Sequence, residues 1–302
     1  MTSTSLPLVS IVTPTYNQAE YLAATIDSVL SQTYPRLQYI VLDDGSTDST
    51  CEVLRRYNGR VHWSTHSNMG QARTLNKGWS LSDGQIFGYL SSDDMLRPTA
   101  VVEAVHCLLD NPEAAVAYSD YFLIDSQGTT FREVRVEDFS IQRLRQELIC
   151  QPGPGAFFRR SVFDQCKGWR PDLEQTPDFD FWLRASVLGE FKRVPKPLAY
   201  CRVHAQSASY RPISRKRAIE VIDVVKTFWE SLDQNCPAAA LAKAYLVAGK
   251  LHLQSGRYAA GLKCLADATQ LSPTVALSAA GLRTLFAGLL RNSVYRVSGR
   301  RL

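Results

Sequence analysis

Two adjacent pairs of acidic residues are the feature of this chain best suited to chemistry. Asp43-Asp44 follows the apolar run of residues 37–42, and Asp93-Asp94 follows the apolar run of residues 85–90 after two serines. If these runs are parallel strands followed by helices, their carboxyl ends meet at one edge of a sheet, where ligands of doubly wound α/β folds bind. Carboxylates at that edge suit Mg²⁺ or Mn²⁺, and such an ion would neutralise a substrate diphosphate.

The elements that would position these acids alternate between strand and helix patterns along the first half of the chain. Asn17 is expected to cap the first helix, with Glu20 at the capping-box position. The alternation predicts an α/β fold with a Rossmann-like, mostly parallel sheet flanked by helices. Strands are predicted at residues 9–13, 37–42, 61–65, 85–90 and 114–124.

The chain changes character after about residue 211, where strand patterns end and alanine and leucine dominate. Helical periodicity then continues from residue 213 to about 290, which predicts two domains, 1–210 and 211–302. Residues 241–273 resemble one tetratricopeptide-like helix pair. A repeat array needs about three such units, so a helical appendage and a repeat array both stay open.

Composition places the chain among ordinary globular proteins. Its 302 residues favour one large domain with a smaller one. Apolar content of 45% and charged content of 21% argue against disorder. Seven cysteines without a CxxC pair are typical of reduced thiols in the cytosol rather than of disulfides or a zinc site.

Charge and hydropathy lead to an expectation about location. Residues 1–7 lack a basic start, and no run of about eighteen apolar residues occurs, so neither secretion nor a membrane span is expected. The net charge is +5, and no acidic residue follows Asp267. We therefore expect a cytoplasmic protein without a nucleic-acid partner, whose basic C-terminus either contacts the inner face of a membrane or belongs to a packed helix. The remaining arginines are Arg283, Arg291, Arg296, Arg300 and Arg301.

Four short segments, taken in order and spacing, resemble the inverting family 2 glycosyltransferases of the GT-A fold. The resemblance covers roughly residues 7–207, and each motif alone would be weak. It implies a GT-A domain, which the C-terminal α-helical region predicted from periodicity follows. The segments are residues 9–17, residues 43–48, Asn68-Met69-Gly70 with Arg73 and Asn76, and Ser92-Asp93-Asp94.

The resemblance implies a nucleotide site in the first half of the chain. Asp44 would accept a hydrogen bond from the nucleotide base, while Tyr16 offers an apolar face to the ring. A plain turn followed by a helix cap is the alternative interpretation of the segment beginning at Asp43. The donor-site positions implied are Pro14, Thr15, Tyr16, Asn17, Asp43, Asp44, Arg73 and Asp93.

The same resemblance implies a divalent metal, Mg²⁺ or Mn²⁺, bridging the donor diphosphate. Asp94 would be its main ligand, Asp93 would bind ribose or the metal, and His204 would complete the coordination. Arg202 would offer charge to a phosphate. Many members of the family carry a further acid where Ser91 stands, so the division of roles between the two aspartates stays open.

A general base is implied at Asp178, in a segment that resembles the family's Glu-Asp motif although Pro177 replaces the usual glutamate. Aromatic residues follow, and the desolvation they cause would raise the proton affinity of the carboxylate towards that of a base. Asp180 is the second candidate, and a helix N-cap is the alternative role.

These residues together predict an inverting transfer of sugar from a nucleotide-diphosphate sugar, most simply a UDP-sugar, to an acceptor hydroxyl. The acceptor would be a saccharide or lipid-linked saccharide in polysaccharide, O-antigen or glycoconjugate synthesis, with Trp169 either stacking on sugar or lying in the core. Ser91 and Pro177 leave a non-catalytic nucleotide-sugar-binding scaffold open. A nucleotidyltransferase of the same architecture is a third hypothesis.

Overall fold

The computed structural model describes residues 6–204, 207 and 212–298, with side chains described as far as residue 290. The chain divides into two compact units that alternate along the sequence. The first comprises Gln151–Pro171, Arg184–Val203 and the described part of Met1–Phe139. The second comprises Ser140–Cys150, Asp172–Leu183 and the described part of His204–Leu302. Two segments from the middle of the chain thus group with the C-terminal helices, and a domain boundary at residue 211 stays a prediction.

The first unit is built on a sheet of nine strands, as far as the described residues show, in the order β3-β2-β1-β4-β8-β6-β9-β5, with β7 paired to β6. Its first four strands are all parallel, and β6 and β9 are parallel as well. Strand β8 runs antiparallel between β4 and β6. This mixed α/β architecture confirms the predicted fold class. The strands are β1 Val9–Thr15, β2 Leu37–Asp43, β3 His62–Thr65, β4 Ile86–Tyr89, β5 Met95–Leu96, β6 Ala114–Ile124, β7 Thr130–Val134, β8 Phe157–Arg159 and β9 Glu190–Arg202.

Apolar runs form the central strands because both faces of the sheet are covered by helices. All seven residues of β1 are buried, and so are the last five of β2. Helices on the sheet contribute Leu22, Ile26 and Val105 to the same core. The helices are α1 Ala19–Leu30, α2 Thr50–Arg55, α3 Gln71–Ser80, α4 Ala100–Asp110, α5 Ile141–Glu147, α6 Arg160–Cys166, α7 Pro177–Ala185, α8 Arg215–Glu230, α9 Ala238–Gln254, α10 Tyr258–Leu271, α11 Pro273–Ala276 and α12 Ala279–Ser298.

The second unit contains the predicted helix pair, formed by α9 and α10. Small residues let the two helices approach closely: a Cβ atom added to Gly261 would lie 2.6 Å from the Leu253 side chain. Ala242, Leu246 and Ala268 belong to the small apolar core of this unit. Among the described helices, none is both long and apolar enough to cross a bilayer. No disulfide links the seven cysteines, all of which lie among the described residues.

Candidate active site

The carboxyl ends of β1 and β2 lie side by side because the two strands are parallel and in register. Thr15, the last residue of β1, pairs with Asp43, the last residue of β2. The ladder extends one step further, since the backbone N–H of Asp44 donates to the carbonyl of Thr15 at 2.8 Å. Strand β4 joins the same edge, where Leu90 donates to the carbonyl of Val12. The segments bearing both acidic pairs therefore leave the sheet at one edge.

Asp44 holds the loop that leads into α3. Its carboxylate accepts hydrogen bonds from the backbone N–H groups of Met69, at 2.7 Å, and Gly70, at 2.9 Å. The Nδ1 atom of His66 lies 3.5 Å from the same carboxylate. The side chain is buried, so its charge is balanced by these donors rather than by bulk water. Two oxygens with about four lone-pair positions leave room for one more donor, such as a base N–H.

Asp43 supports the site from beneath. It has no exposed surface, and it accepts a 2.6 Å hydrogen bond from the Thr65 hydroxyl. The backbone N–H of Ser46 also donates to it, at 3.2 Å, and the Cys51 thiol lies 3.4 Å away. Asp43 thus joins the ends of β2 and β3 and the turn that follows Asp44.

Asn17 joins two loops and does not cap α1 as predicted. Its backbone φ of 52° lies in the left-handed region, which asparagine tolerates better than most residues. Its side-chain oxygen accepts from the backbone N–H of Thr47, at 2.7 Å, and its own N–H donates to the Ser46 hydroxyl. Gln18 takes the N-cap position of α1 without a side-chain cap bond. The prediction of a cap at Asn17 was wrong because the partner it binds lies thirty residues away.

The end of β1 presents one aromatic ring and one hydroxyl. Tyr16 is 47% exposed, while Pro14 beside it is buried. Thr15 is almost fully buried, and its hydroxyl oxygen has no hydrogen-bond partner within the part of the chain that the structure describes. A buried, unpaired hydroxyl is costly unless a ligand or water completes it. Arg73, in the first turn of α3, is exposed, with one nitrogen 3.4 Å from the Met69 carbonyl.

Asp93 and Asp94 occupy different surroundings in the loop after β4. Asp94 is only 8% exposed, and its Oδ1 accepts a 2.8 Å hydrogen bond from the backbone N–H of Arg202. Burial raises the pKa of the Asp94 carboxyl well above its ordinary value, and the neighbouring Asp93 charge adds to the effect. Asp93 is partly exposed. The more accessible of the two carboxylates is therefore Asp93.

Arg202 anchors this loop through its side chain as well. Its guanidinium donates to the carbonyls of Asp93, at 2.9 Å, and of Asp125 and Ser126, both at 3.1 Å. It also lies over the Tyr21 ring, 4.7 Å from the centroid, and is 94% buried. These three hydrogen bonds are directed at backbone oxygens, and the expected role of Arg202 at a phosphate stays a prediction.

His204 and Asp178, two further predicted site residues, belong to the second unit. The backbone N–H of His204 donates to the Ser207 hydroxyl at 3.1 Å. In the described part of the chain, no group of three or more His, Cys, Asp or Glu side chains could hold a metal. The metal-binding role of His204 stays a prediction.

Asp178 is the second residue of α7, and its side chain is exposed. Asp180, two residues further along the same helix, is only 4% exposed. The Asp178 carboxylate accepts a hydrogen bond from the N–H of Phe179 at 2.8 Å. Desolvation by its surroundings nevertheless raises the pKa of this carboxyl, in the direction expected from the sequence. Of the two candidates for a base, Asp178 is the more accessible to solvent.

Comparison of the sequence with known proteins identifies the family of this chain. The sequence pattern described as glycosyl transferase family 2 matches residues 10–167, which include the ends of β1, β2 and β4. The chain belongs to glycosyltransferase family 2. The family membership confirms the resemblance seen in the sequence.

Among the relatives of this family 2 chain is a chondroitin synthase of Pasteurella multocida, 30% identical over 217 residues. The match covers 70% of this chain and 22% of that protein. An uncharacterized glycosyltransferase of Rickettsia typhi is 33% identical over 234 residues, covering 73% of this chain and 71% of that protein. Several of the relatives are much longer, and the chain spans about a fifth to a third of them.

Solved structures show the same fold. S. aureus TarS residues 1–349, in complex with UDP-GlcNAc, superimposes with a TM-score of 0.67 at 15% identity, covering 96% of this chain and 92% of that one. The mannosyltransferase PcManGT of Pyrobaculum calidifontis, in complex with GDP-Man and Mn²⁺, gives a TM-score of 0.55 at 17% identity, with 99% and 89% covered. The GT-A fold predicted from the sequence is thereby confirmed.

The acidic loop of this family 2 domain has the donor set that Mg²⁺ or Mn²⁺ requires. Such ions are usually held by one or two carboxylates together with substrate phosphates, so no cluster of three protein ligands is needed. Burial, and secondly the neighbouring Asp93 charge, disfavour the ionised form of Asp94 and raise its pKa. A cation at Asp93 would relieve that repulsion, and the residues present therefore fit a divalent ion.

A clamp around Trp169 is a feature that sequence reasoning missed. The Asn76 side chain donates to the Trp169 carbonyl at 2.7 Å and accepts from its N–H at 2.8 Å. Trp169 is 5% exposed and packs edge-on against Tyr89 and Trp79. It is a core residue, so the suggested stacking of an acceptor sugar on Trp169 does not fit. Gly168, with φ of 74°, permits this approach, because a Cβ there would lie 2.2 Å from the Asn76 oxygen.

Proposed function

We propose that this chain transfers a sugar from a nucleotide-diphosphate sugar to an acceptor hydroxyl with inversion at the anomeric carbon. The observation that carries the proposal is the arrangement at the carboxyl edge of β1 and β2. There Asp44 directly follows the Asp43 that pairs with Thr15, its carboxylate accepts two backbone amides with lone pairs to spare, and the Thr15 hydroxyl has no partner among the described residues. Family membership makes a nucleotide sugar the natural occupant.

The nucleoside would bind at the end of β1. Asp44 would read a ring N–H with its remaining lone pairs, the exposed Tyr16 would cover the base, and Arg73 would approach the phosphates. We favour UDP over GDP because TarS, which has the higher TM-score of the two neighbours, was solved with UDP-GlcNAc and with UDP. Asn17 and Asp43 would act by holding the two loops in place.

A divalent cation would be held by Asp93, with Asp94 and His204 as further candidates. When bound, the ion would neutralise the diphosphate and stabilise it as a leaving group. The chain's own contribution is to fix the loop: Arg202 binds the Asp93 carbonyl, and its N–H binds the Asp94 carboxylate. Both contacts hold the backbone of the loop that carries Asp93 in one place before substrate arrives.

Asp178 would be the general base. It would remove the proton from the acceptor hydroxyl as that oxygen attacks the anomeric carbon, and the bond from this carbon to the diphosphate oxygen would break in the same step. The nucleoside diphosphate leaves on the opposite face, which inverts the configuration. The raised pKa of Asp178 supports the assignment, because it makes the carboxylate a better proton acceptor.

The acceptor is proposed to be a saccharide or a lipid-linked saccharide, in polysaccharide or glycoconjugate synthesis. Chondroitin and hyaluronan synthases among the relatives support a polysaccharide. Exposed Leu282 and Phe286 on α12, beside Arg283, support the proposal that this helix contacts an anionic membrane.

Product analysis tests the proposal. The protein is incubated with UDP-, GDP- and dTDP-sugars, Mn²⁺ and a panel of oligosaccharides, and we expect release of a nucleoside diphosphate and a product of opposite anomeric configuration by NMR. Release of pyrophosphate would identify a nucleotidyltransferase instead. Binding of sugar nucleotides with neither transfer nor slow hydrolysis would identify a non-catalytic scaffold.

A further inference from the structure

We propose that Glu220 of α8 is a positioning residue for Asp178, so that the C-terminal helices form part of the transfer machinery rather than an appendage. The inference rests on the proposed role of Asp178 as the base. It is carried by one juxtaposition within the second unit: the buried Glu220 carboxylate holds the backbone segment that immediately precedes α7.

The Glu220 carboxylate captures two successive backbone amides. Its oxygens accept from the N–H of Glu174, at 3.0 and 3.1 Å, and from the N–H of Gln175, at 2.7 Å. Glu220 is 4% exposed, and a buried glutamate is rare unless donors of this kind balance its charge. The Glu220 side chain therefore fixes the backbone amides of residues 174–175.

Arg217, one turn earlier on α8, strengthens the same attachment. Its guanidinium donates to the Glu174 carbonyl at 3.0 Å and lies 3.3 Å from the Glu174 carboxylate. Both polar backbone groups of Glu174 are thus bound to a single helix. The Glu174 side chain is 53% exposed, so its ion pair with Arg217 adds little, and the two backbone contacts matter most.

The attachment lies three residues from Asp178 and is joined to it by stiff backbone. Pro177, the first residue of α7, has its φ fixed by its ring and is favoured at that position. The helix begins with the N–H of Asp180 donating to the Thr176 carbonyl at 3.0 Å. A shift of residues 174–175 would therefore be transmitted to Asp178. A base misplaced by about 1 Å costs roughly 100-fold in rate.

The test is Glu220→Gln in the full chain, with Asp223→Asn as the matched control. Asp223 lies on the same helix, is exposed, and loses the same charge. For Glu220→Gln we expect kcat to fall about 10- to 100-fold, with the donor KM within about twofold of wild type, because one amide then faces a side-chain NH₂ instead of an acceptor. The acid limb of the pH profile of kcat/KM should shift as well. Asp223→Asn should match wild type in kcat, in donor KM and in the pH profile.

If Glu220 has only a structural role, Glu220→Gln will have a lower melting temperature, but its kcat and pH profile will match those of wild type below that temperature. This result would overturn the proposal. If Glu220→Gln does not fold, Arg217→Ala removes the second attachment at a partly exposed position and should lower kcat in the same way. Unchanged kcat in Arg217→Ala would then count against the proposal.

Hydrogen exchange separates this inference from the proposed function. Peptides covering residues 174–181 should lose amide protection in Glu220→Gln and keep it in Asp223→Asn. Unchanged exchange refutes the positioning role whether or not the protein is active. A second outcome is that Glu220→Gln loses protection while the wild-type protein binds no nucleotide sugar and releases no nucleoside diphosphate. That outcome refutes the proposed function but confirms that Glu220 sets the position of this segment.

Discussion

Substituting Asp93 and Asp94 separately by asparagine should show which carboxylate holds the metal. The sequence favoured Asp94, but its carboxylate is buried and bound to the backbone N–H of Arg202. Asp93 is the more accessible of the two. We therefore expect Asp93→Asn to abolish most of the Mn²⁺-dependent affinity for UDP, and Asp94→Asn to change mainly the packing of the loop.

The contacts of Asp94, together with typical hydrogen-bond energies, give the expected change in the free energy of unfolding. In Asp94→Asn the side-chain oxygen can still accept from Arg202, and the change from a charged to a neutral hydrogen bond costs about 1 kcal/mol. Burial and the Asp93 charge raise the pKa of Asp94, so its ionised form opposes folding at neutral pH, and removing that charge offsets the loss. The net change should be within about 1 kcal/mol. Asp94→Ala instead leaves a buried N–H without a partner, which costs about 1–3 kcal/mol.

The assay is thermal shift and calorimetry with UDP, with and without Mn²⁺. Loss of a direct ligand should weaken Mn²⁺-dependent UDP binding by Asp93→Asn at least about tenfold, or about 1.4 kcal/mol. Asp94→Asn should lose less than about tenfold, or 1.4 kcal/mol. The reverse result, in which a folded Asp94→Asn loses the Mn²⁺ effect and Asp93→Asn keeps it, would show that the buried carboxylate is the ligand and that accessibility is the wrong guide.

Three further changes test other parts of the site. Asp178→Asn should lower kcat by about 10²- to 10⁴-fold without changing UDP affinity. In the wild type, kcat/KM should fall as the pH drops through a pKa above that of an ordinary aspartate, because only the ionised carboxylate accepts a proton. This acid limb of the pH profile should be absent in Asp178→Asn. Gly45→Ala should lower the melting temperature and weaken UDP binding, because the φ of 76° disfavours alanine and its Cβ would lie 2.8 Å from the Asn68 nitrogen. Asn76→Ala should cost about 2–3 kcal/mol in denaturant unfolding by breaking both hydrogen bonds to Trp169, with UDP affinity unchanged.

The sequence predicted the sheet edge correctly because that information is local. Apolar runs ending in acids identify strand ends, and parallel pairing of β1 with β2 and β4 then brings those ends together. The helix pair α9–α10 and the strand Ala114–Ile124 were predicted for the same reason.

Contacts between distant residues could not be predicted in this way. Asp94 binds the backbone of Arg202 across 108 positions, and Glu220 binds that of Gln175 across 45. A backbone N–H has no residue type, so no pattern in the chain signals such a partner. The predicted helix cap at Asn17 failed for this reason, because it was judged by its neighbours in sequence alone.

Four buried acids of this chain share one physical property, which bears on why these positions are acidic. Asp43, Asp44, Asp94 and Glu220 each accept at least one backbone N–H, from Ser46, Met69, Arg202 and Glu174 among others. A carboxylate has about four lone-pair positions, so it can hold one or two amides and still bind another donor. For Asp44 the folding role and the proposed ligand role therefore use different lone pairs of the same group. Asparagine retains only one acceptor oxygen, so at Asp44 it would have to give up either an amide of the loop or the nucleotide base.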